Sequence, residues 1–470
     1  MQDKASIGLI GLAVMGENLA RNLADKQIST VVYNRSYEKT KSFMERFAAA
    51  GYLSAAESLA EFVSKLQTPR KIILMVKAGQ PVDQMLAALI PLLDKGDIII
   101  DGGNSLFSDT QRRANSLHEL GLRFVGMGVS GGEEGALKGP SLMPGGDQEA
   151  YRELAEFLQK IAAKAKGRPC VSYVGADGAG HYVKMVHNGI EYADMQLIAE
   201  VYFVMKELLG LSHAQMAAIW AEWNAGELES YLVEITAAIM RRQDDLTAGA
   251  LLEQILDVAG QKGTGKWTSQ SALDLGVPIP TIAEAVFARY LSAYKQERLV
   301  AAELFAEPTD KPELDQAQIL RDLHDSLYAA KICAYAQGFA LLKAAAQEYN
   351  WQLNFADIAL LWRSGCIIRA AFLDRISDSF AKQPELNNLL LDEYFASVLK
   401  KSRVGWVRIV NLAKQQGLPI PALNSALDYF DGYKTAYGNA NLLQAQRDYF
   451  GAHTYRRLYG NEDVHTNWES

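Results

Sequence analysis

The sequence predicts an α/β N-terminal domain built on a mainly parallel sheet, then a large all-α domain, then a C-terminal tail. Three observations predict it. The N-terminal part alternates short, nearly all-apolar runs with helical patterns. From about residue 178 the strand signals stop and long apolar patterns of helical period take over, and residues 439–470 are polar, aromatic and in places basic. Strands of a parallel sheet are buried on both faces and lose the alternation of half-buried ones, so continuous apolar runs between helical patterns read as βαβ units.

The expected strands are SIGLIG (6–11), TVVYN (30–34), KIILMV (71–76), DIIID (97–101), LRFVGM (122–127) and CVSYVG (170–175). They place the first domain at residues 1–177. Helical periods fill 178–438, with breaks at Gly210, near Gly260 to Gly265, at Pro278 and Pro280, around Pro308 to Pro312, and at Pro419 and Pro421. Within that span Ile219-Trp220, Gly226, Tyr231-Leu232 and Ile235 are echoed by Leu361-Trp362, Gly365, Phe372-Leu373 and Ile376. The gaps between Trp and Gly are unequal, so the echo fits either a duplicated helical unit or chance. Residues 439–470 show no strong amphipathic period and read as a tail that needs another surface to pack on.

A chain of 470 residues exceeds one ordinary core, and 49% hydrophobic with 22% charged residues is the balance of a soluble globular protein. No run of about eighteen apolar residues predicts a membrane span, and the opening MQDKAS lacks the apolar core of a signal peptide. Cys170, Cys333 and Cys366 are odd in number and far apart, which argues against a disulfide framework or a zinc site. A reducing cytoplasm is expected. A formal net charge of −8 argues against a general nucleic-acid or membrane binder, so an anionic ligand must be met by a local cluster of cations.

GLAVMG, running from Gly11 through Leu12, Ala13, Val14 and Met15 to Gly16, follows the first strand and opens a helix. It matches the dinucleotide fingerprint with alanine at the second glycine. Gly11 allows the tight turn, Ala13 lets a pyrophosphate approach, and Gly16 lets helix and strand pack closely, with amides at the helix N-terminus facing the phosphates. The first domain is therefore expected to be Rossmann-like. The second strand ends in Asn34-Arg35-Ser36, where an NAD site usually carries an acidic residue. Arg35 can pair with the 2′-phosphate of NADP and stack on its adenine, so the cofactor reads as NADP; the plain alternative is an exposed surface arginine. GQKGTGK (260–266) approaches a P-loop, but Trp267 stands where a hydroxyl should ligate magnesium. Its amides, Lys262 and Thr264 still suit a phosphorylated ligand.

In GAGHYVKMVHNGIEY (178–192), Lys184, Asn188 and Glu191 are spaced by four and then three residues and share one helix face, bordered by His187 and Tyr192. Taken alone, such a stripe describes the solvated face of an amphipathic helix. It is equally what an acid–base pair needs. A desolvated lysine starts neutral and becomes a cation where negative charge develops, while a protonated glutamate can donate.

Together with DGGN (101–104), GVSGGEEGALKGPSLMPGG (128–146), KGTGKWTSQSALDLG (262–276) and QAQRDYFGAHTYRR (444–457), these motifs resemble the NADP-dependent, decarboxylating 6-phosphogluconate dehydrogenase family over essentially the whole length. The resemblance implies a reaction of the pentose phosphate pathway. 6-Phosphogluconate loses a hydride from carbon 3 to NADP, the keto acid loses carbon dioxide, and the enediol becomes ribulose 5-phosphate. Lys184 is implied as base and then acid, and Glu191 as the acid that protonates carbon 1. Val76, Lys77, Ala78 and Asn104 are implied to line the cofactor. Asn104, Ser130, Gly131, Gly132, His187 and Asn188 would contact the sugar acid. Tyr192, Lys262, Arg289 and Arg447 would meet the substrate phosphate, with His453 nearby. The partners implied are the small substrate and a second copy of the chain, the tail of each subunit of a homodimer completing its partner's site; no metal is implied. Two other readings compete. A hydroxyisobutyrate-type dehydrogenase of the same β-hydroxyacid superfamily is shorter and has no substrate phosphate to meet, and a non-catalytic NADP-binding protein has no need of an intact Lys184 and Glu191.

Overall fold

Apolar runs near the predicted places form β1 (Ile7–Ile10), β2 (Thr30–Tyr33), β4 (Lys71–Leu74), β5 (Ile98–Asp101) and β6 (Arg123–Ser130) of a computed structural model that describes residues 4–48, 51–306 and 313–468. Two more strands, β3 (Leu53–Ala55) and β7 (Ser141–Gly146), complete a seven-stranded sheet in the order β3-β2-β1-β4-β5-β6-β7. All neighbours are parallel except β7, which runs antiparallel to β6. The strands alternate with helices α1 (Val14–Asp25), α2 (Tyr37–Phe47), α3 (Leu59–Ser64), α4 (Gln80–Leu89), α5 (Phe107–Glu119), α6 (Gly132–Lys138) and α7 (Gln148–Ile161). These cover both faces of the sheet. Leu9 and Ile100 face a core shared with Leu19 and Leu158, while Ile10 and Ile99 face one shared with Phe62 and Leu117.

One strand expectation is corrected, and two strands of the sheet lie outside those expected. The run 170–175 is not a strand of the sheet: it lies beside β7, donating Val174 N–H to the Pro144 carbonyl and accepting the Leu142 and Gly146 amides at the Cys170 and Gly175 carbonyls, but its pairing amounts to one isolated bridge between Val171 and Leu142. The edge place is taken by β7, whose SLMPGG reads as a loop because Pro144 and two glycines break the apolar run; an edge strand tolerates them. β3 has three half-buried residues, too few to leave a hydrophobic signature.

The helical part begins with α8 (Ala179–Glu207), α9 (His213–Trp223), α10 (Tyr231–Arg241), α11 (Thr264–Asp274), α12 (Pro280–Ser292) and α13 (Lys295–Leu304), and repeats the plan as α14 (Gln316–Glu348), α15 (Phe355–Leu361), α16 (Leu373–Lys382), α17 (Glu393–Gln415) and α18 (Pro421–Lys434). The sequence echo is a structural one. Trp220 and Trp362 are both fully buried, and the two echoed segments meet at an antiparallel bridge between Ser230 and Ala370. GVPIP (276–280) and GLPIP (417–421) enter α12 and α18 alike, with Gly276 and Gly417 at φ 65° and 66°. Each long helix caps the other half. Glu200 on α8 accepts the amides of Ala422 and Leu423 at the start of α18 (2.9 and 2.8 Å), and Gln337 on α14 accepts the Thr281 amide at the start of α12 (3.1 Å). Between them Lys331 donates to both oxygens of Asp194 at 2.6 and 2.8 Å, wholly buried. One continuous core joins both halves. The expected break around Pro308 to Pro312 lies outside the described residues.

The tail contains a helix the sequence did not announce, α19 (Ala440–Gly451), followed by a short antiparallel pairing of Tyr455–Arg456 with Asp463–Val464. Its apolar residues Leu442, Leu443 and Phe450 face outward, so no buried stripe marks the period. Asp448 binds it together, accepting from the amides of Thr454 and Thr466, the Trp468 indole and His465.

Candidate active site

The strand order reverses at β1, which lies between β2 and β4, so the C-terminal ends of these strands open a crevice. The glycine loop lines it. Gly11 has φ 102°, and a Cβ there would meet the Met75 carbonyl oxygen at 2.4 Å; a Cβ on Gly16 would meet the Gly11 oxygen at 1.9 Å. Both positions accept only glycine. Leu12 is buried and donates its amide to Asn34 Oδ1 (3.1 Å), so the Asn34 side chain holds the loop in place. Ala13 and Val14 are exposed, with Met15 half-buried behind them, at the start of α1, where amides lack helical partners. Arg35 and Ser36 are exposed at the end of β2, and among the described residues Arg35 makes no ion pair. Val76, Lys77 and Ala78 follow β4, and an exposed Asn104 follows β5. A free guanidinium at one end and unpaired amides in the middle fit a dinucleotide that carries an extra phosphate.

The second half of the site is packed against this edge. α8 crosses β6 so closely that a Cβ on Gly128 would meet the Lys184 Cβ at 2.5 Å. The stripe is not a wet face: Lys184 is 6%, Asn188 8% and His187 0% exposed. Its polar atoms are chained. Lys184 Nζ lies 3.3 Å from His187 Nδ1, which lies 3.0 Å from Asn188 Oδ1, and Asn188 Nδ2 donates to Thr264 Oγ1 at 3.1 Å. His187 Nε2 meets Ser130 Oγ at 3.2 Å, where β6 ends, and Gly131 (φ 121°) and Gly132 (φ 63°) turn the chain into α6. Glu191, partly exposed, brings Oε2 to 3.8 Å from His187 Nδ1.

Burial sets the charges. It lowers the Lys184 ammonium from its ordinary range, although Glu191 opposes this, and it lifts the Glu191 carboxyl, although Lys184 and Arg289 oppose that. Burial, aided by Lys184, holds His187 neutral. Burial thus shifts the lysine toward its neutral form and the glutamate toward its protonated form, two helical turns apart on α8.

Next to Glu191, Arg289 on α12 stacks its guanidinium 3.6 Å over the Tyr192 ring and donates to the Gly260 carbonyl (3.2 Å), which ties α12 to the loop carrying an exposed Lys262. Arg289 therefore stands between Tyr192 and the loop that carries Lys262, and Thr264 at the end of that loop meets Asn188. Arg447 and His453 do not join them: Arg447 donates to Gln444, the His453 ring packs on Phe450, and among the described residues neither contacts the Lys184 cluster. Sequence reasoning gave no role to Trp362, whose ring meets His187 edge-on at 5.7 Å, or to Cys366, a thiol that burial pushes up to about 12 and that Lys184 pulls down. Trp362 had a signal, its place in the helical echo. Cys366 had none.

Known proteins match this chain over nearly its whole length. Residues 6–175 match the family profile described as the NAD binding domain of 6-phosphogluconate dehydrogenase, and residues 180–468 match that of the 6-phosphogluconate dehydrogenase C-terminal domain. The chain is 54% identical over 466 residues to the NADP(+)-dependent, decarboxylating 6-phosphogluconate dehydrogenase of Bacillus subtilis, covering 99% of each. It is 53% identical to the decarboxylating enzyme of Ovis aries, covering 99% of this chain and 97% of that one. The solved structure of Plasmodium falciparum 6-phosphogluconate dehydrogenase, described in its apo form and in complex with its cofactor NADP+ and its substrate 6-phosphogluconate, superposes with a TM-score of 0.96 at 44% identity, covering 98% of this chain and 100% of that one. Two family profiles that together span residues 6–175 and 180–468, with relatives more than 50% identical over 99% of the chain, place it in the 6-phosphogluconate dehydrogenase family.

Proposed function

We propose that the chain oxidises and decarboxylates 6-phosphogluconate to ribulose 5-phosphate and carbon dioxide, with NADP as the hydride acceptor. The observation that carries the residue roles is the burial of Lys184 and the sheltered, partly exposed place of Glu191 on the same face of α8, with their proton affinities moved toward each other. The glycine loop, Arg35 and the Val76–Ala78 segment would hold NADP, which when bound takes up the hydride. Neutral Lys184 removes the proton of the carbon 3 hydroxyl as hydride leaves that carbon. The resulting ammonium then sits beside the new ketone oxygen and stabilises the enolate as carbon dioxide departs. Glu191 gives its proton to carbon 1 of the enediol. Asn104, Ser130, Gly131, Gly132, His187 and Asn188 hold the sugar acid between these groups, and Tyr192, Lys262 and Arg289 meet its phosphate.

Arg447 and His453 complete the phosphate site of a second copy, so the working unit is a homodimer with residues 439–470 crossing between subunits. The outward apolar residues of α19 and at the end of α13, Leu304 and the following Phe305, support that reading. Residues 1–177 and 178–438 act as the nucleotide and substrate domains. No helix among the described residues is long and apolar enough to cross a membrane, and three free, buried thiols suit the cytoplasm. The test is absorbance in the near ultraviolet on mixing the protein with NADP and 6-phosphogluconate. Reduced cofactor must accumulate with carbon dioxide in equal amount; a protein that binds both without turnover refutes the proposal.

A further inference from the structure

Under the two loops that follow β4 and β5 lies a buried arginine that the reaction itself does not use. Arg113 on α5 has a side chain only 1% exposed. On one edge its guanidinium grips the end of the loop after β4 and the first turn of α4 behind it: Nη2 donates to the Gly79 carbonyl (3.0 Å), and Nε and Nη2 donate to Asp83 Oδ1 and Oδ2 (2.8 and 3.0 Å). On the other edge Nη1 reaches Ser105 Oγ at 3.5 Å and lies 3.7 Å from Asp101 Oδ2. Asp101 in turn accepts the Gly103 amide (3.0 Å) and the Ser105 hydroxyl (2.6 Å), which fixes the turn that presents Asn104. The two loops touch, since a Cβ on Gly103 would meet the Val76 carbonyl oxygen at 2.9 Å.

We infer that Arg113 is a positioning residue that locks the loop carrying Val76, Lys77 and Ala78 to the loop carrying Asn104. This rests on the reading above that both loops border the ligands. Arg113 lies beneath that surface and touches neither, so its effect runs through the backbone it holds. The geometry needs a planar fork with donors on two edges; lysine keeps the charge but supplies a single point and cannot grip both loops. Arg113 and Arg112 hold the Asp83 carboxyl down at about 2, so this lock stays ionised through the neutral range. A charge buried at such depth adds little net stability over an apolar residue, which leaves fixing geometry as its role.

The same two strands supply an internal control. At their opposite ends Arg70 donates through Nη1 to Asp94 and Asp97 (both 2.7 Å), joining β4 to β5 far from the crevice. The experiment compares Arg113→Lys, Asp83→Asn and Arg70→Lys with wild type in the full-length protein, measuring NADP Kd by calorimetry, KM for 6-phosphogluconate, and Tm. Arg113→Lys should raise both constants about tenfold, the scale of loss when reacting groups are held less well. Asp83→Asn loosens only the hold on the first turn of α4, which follows the loop after β4, and should raise the NADP Kd more than the substrate KM. Arg70→Lys should lower Tm and leave both constants within about twofold of wild type, an allowance for ordinary surface effects. The inference is overturned if Arg113→Lys and Asp83→Asn leave the constants unchanged, or if Arg70→Lys raises them in parallel. Should Arg113→Lys fail to fold, Asp83→Asn decides alone. A wild type inactive with NADP and 6-phosphogluconate would refute the proposed function, whereas an active wild type with unmoved variants refutes only the role of Arg113.

Discussion

Among the described residues Lys184 has one hydrogen-bond neighbour, a histidine that burial keeps neutral, and no ion pair. Nothing nearby can take over its proton, so Lys184→Ala should cost roughly 10²- to 10⁴-fold in kcat at each step it serves. Steady-state rates with protein shown folded by circular dichroism check this, and near-normal turnover would end the proposed roles. Arg35 stands at the other limit, exposed and, among the described residues, without an ion pair. Arg35→Asp removes a charge-assisted contact and adds repulsion, so the ratio of kcat/KM for NADP over NAD should fall by about two powers of ten or more. The spacing of Lys184, Asn188 and Glu191 was legible in the sequence, but their burial was not. A signal existed for it: Tyr182, Val183, Met185, Val186 and Ile190 fill the other faces of α8, and a helix apolar all round lies inside a protein. The fit of Gly128 against Lys184 left no trace, because a glycine in a strand looks the same whatever it faces.

At the scale of elements, the reciprocal caps make a quantitative claim. Burial lifts the Glu200 carboxyl to about 7, although the two α18 amides and Gln196 pull it down. Unfolded, the same group would titrate near 4.5. Between these values the folded state binds a proton the unfolded state has lost, so stability from this group falls as pH rises from about 4.5 to 7 and is level above. Glu200→Gln should remove that slope, measured by chemical denaturation at pH 5, 6 and 7.5. It should also leave an N–H of α18 unmet, costing about 1 to 3 kcal/mol at pH 5. Adding Ala422→Thr copies the other half, where Gln337 Nε2 donates to Thr281 Oγ1 at 2.9 Å, and should recover part of the loss. No recovery would mean that the two caps are not equivalent. Most parallel strands were readable because burial on both faces writes itself as Ile, Val and Leu. β7 was not, since an edge strand beside one neighbour can carry Pro144, and α19 was not, since its apolar residues face away from its own chain.

At the scale of the whole molecule, this chain by itself leaves Arg447 and His453 away from the Lys184 cluster. If the tail serves a second copy, mixing Arg447→Ala chains with Lys184→Ala chains should restore one intact site per mixed dimer. Recovery of activity after subunit exchange checks this, and none after proven exchange would return the tail to its own chain. Arg447→Ala alone should raise the substrate KM about 10- to 100-fold, the worth of one charged contact to a phosphate, and spare the NADP Kd. The exchange of caps inside each chain has its own consequence at this scale. Glu200 completes a helix that begins at Pro421, and Gln337 completes one that begins at Pro280, so each half of the helical region keeps part of its structure in the custody of the other. A polypeptide severed between α13 and α14 would yield two pieces, each with an uncapped helix and an exposed core face. Made separately they should stay insoluble; made together they should find each other, because what the two halves inherited as duplicates they now hold only as complements.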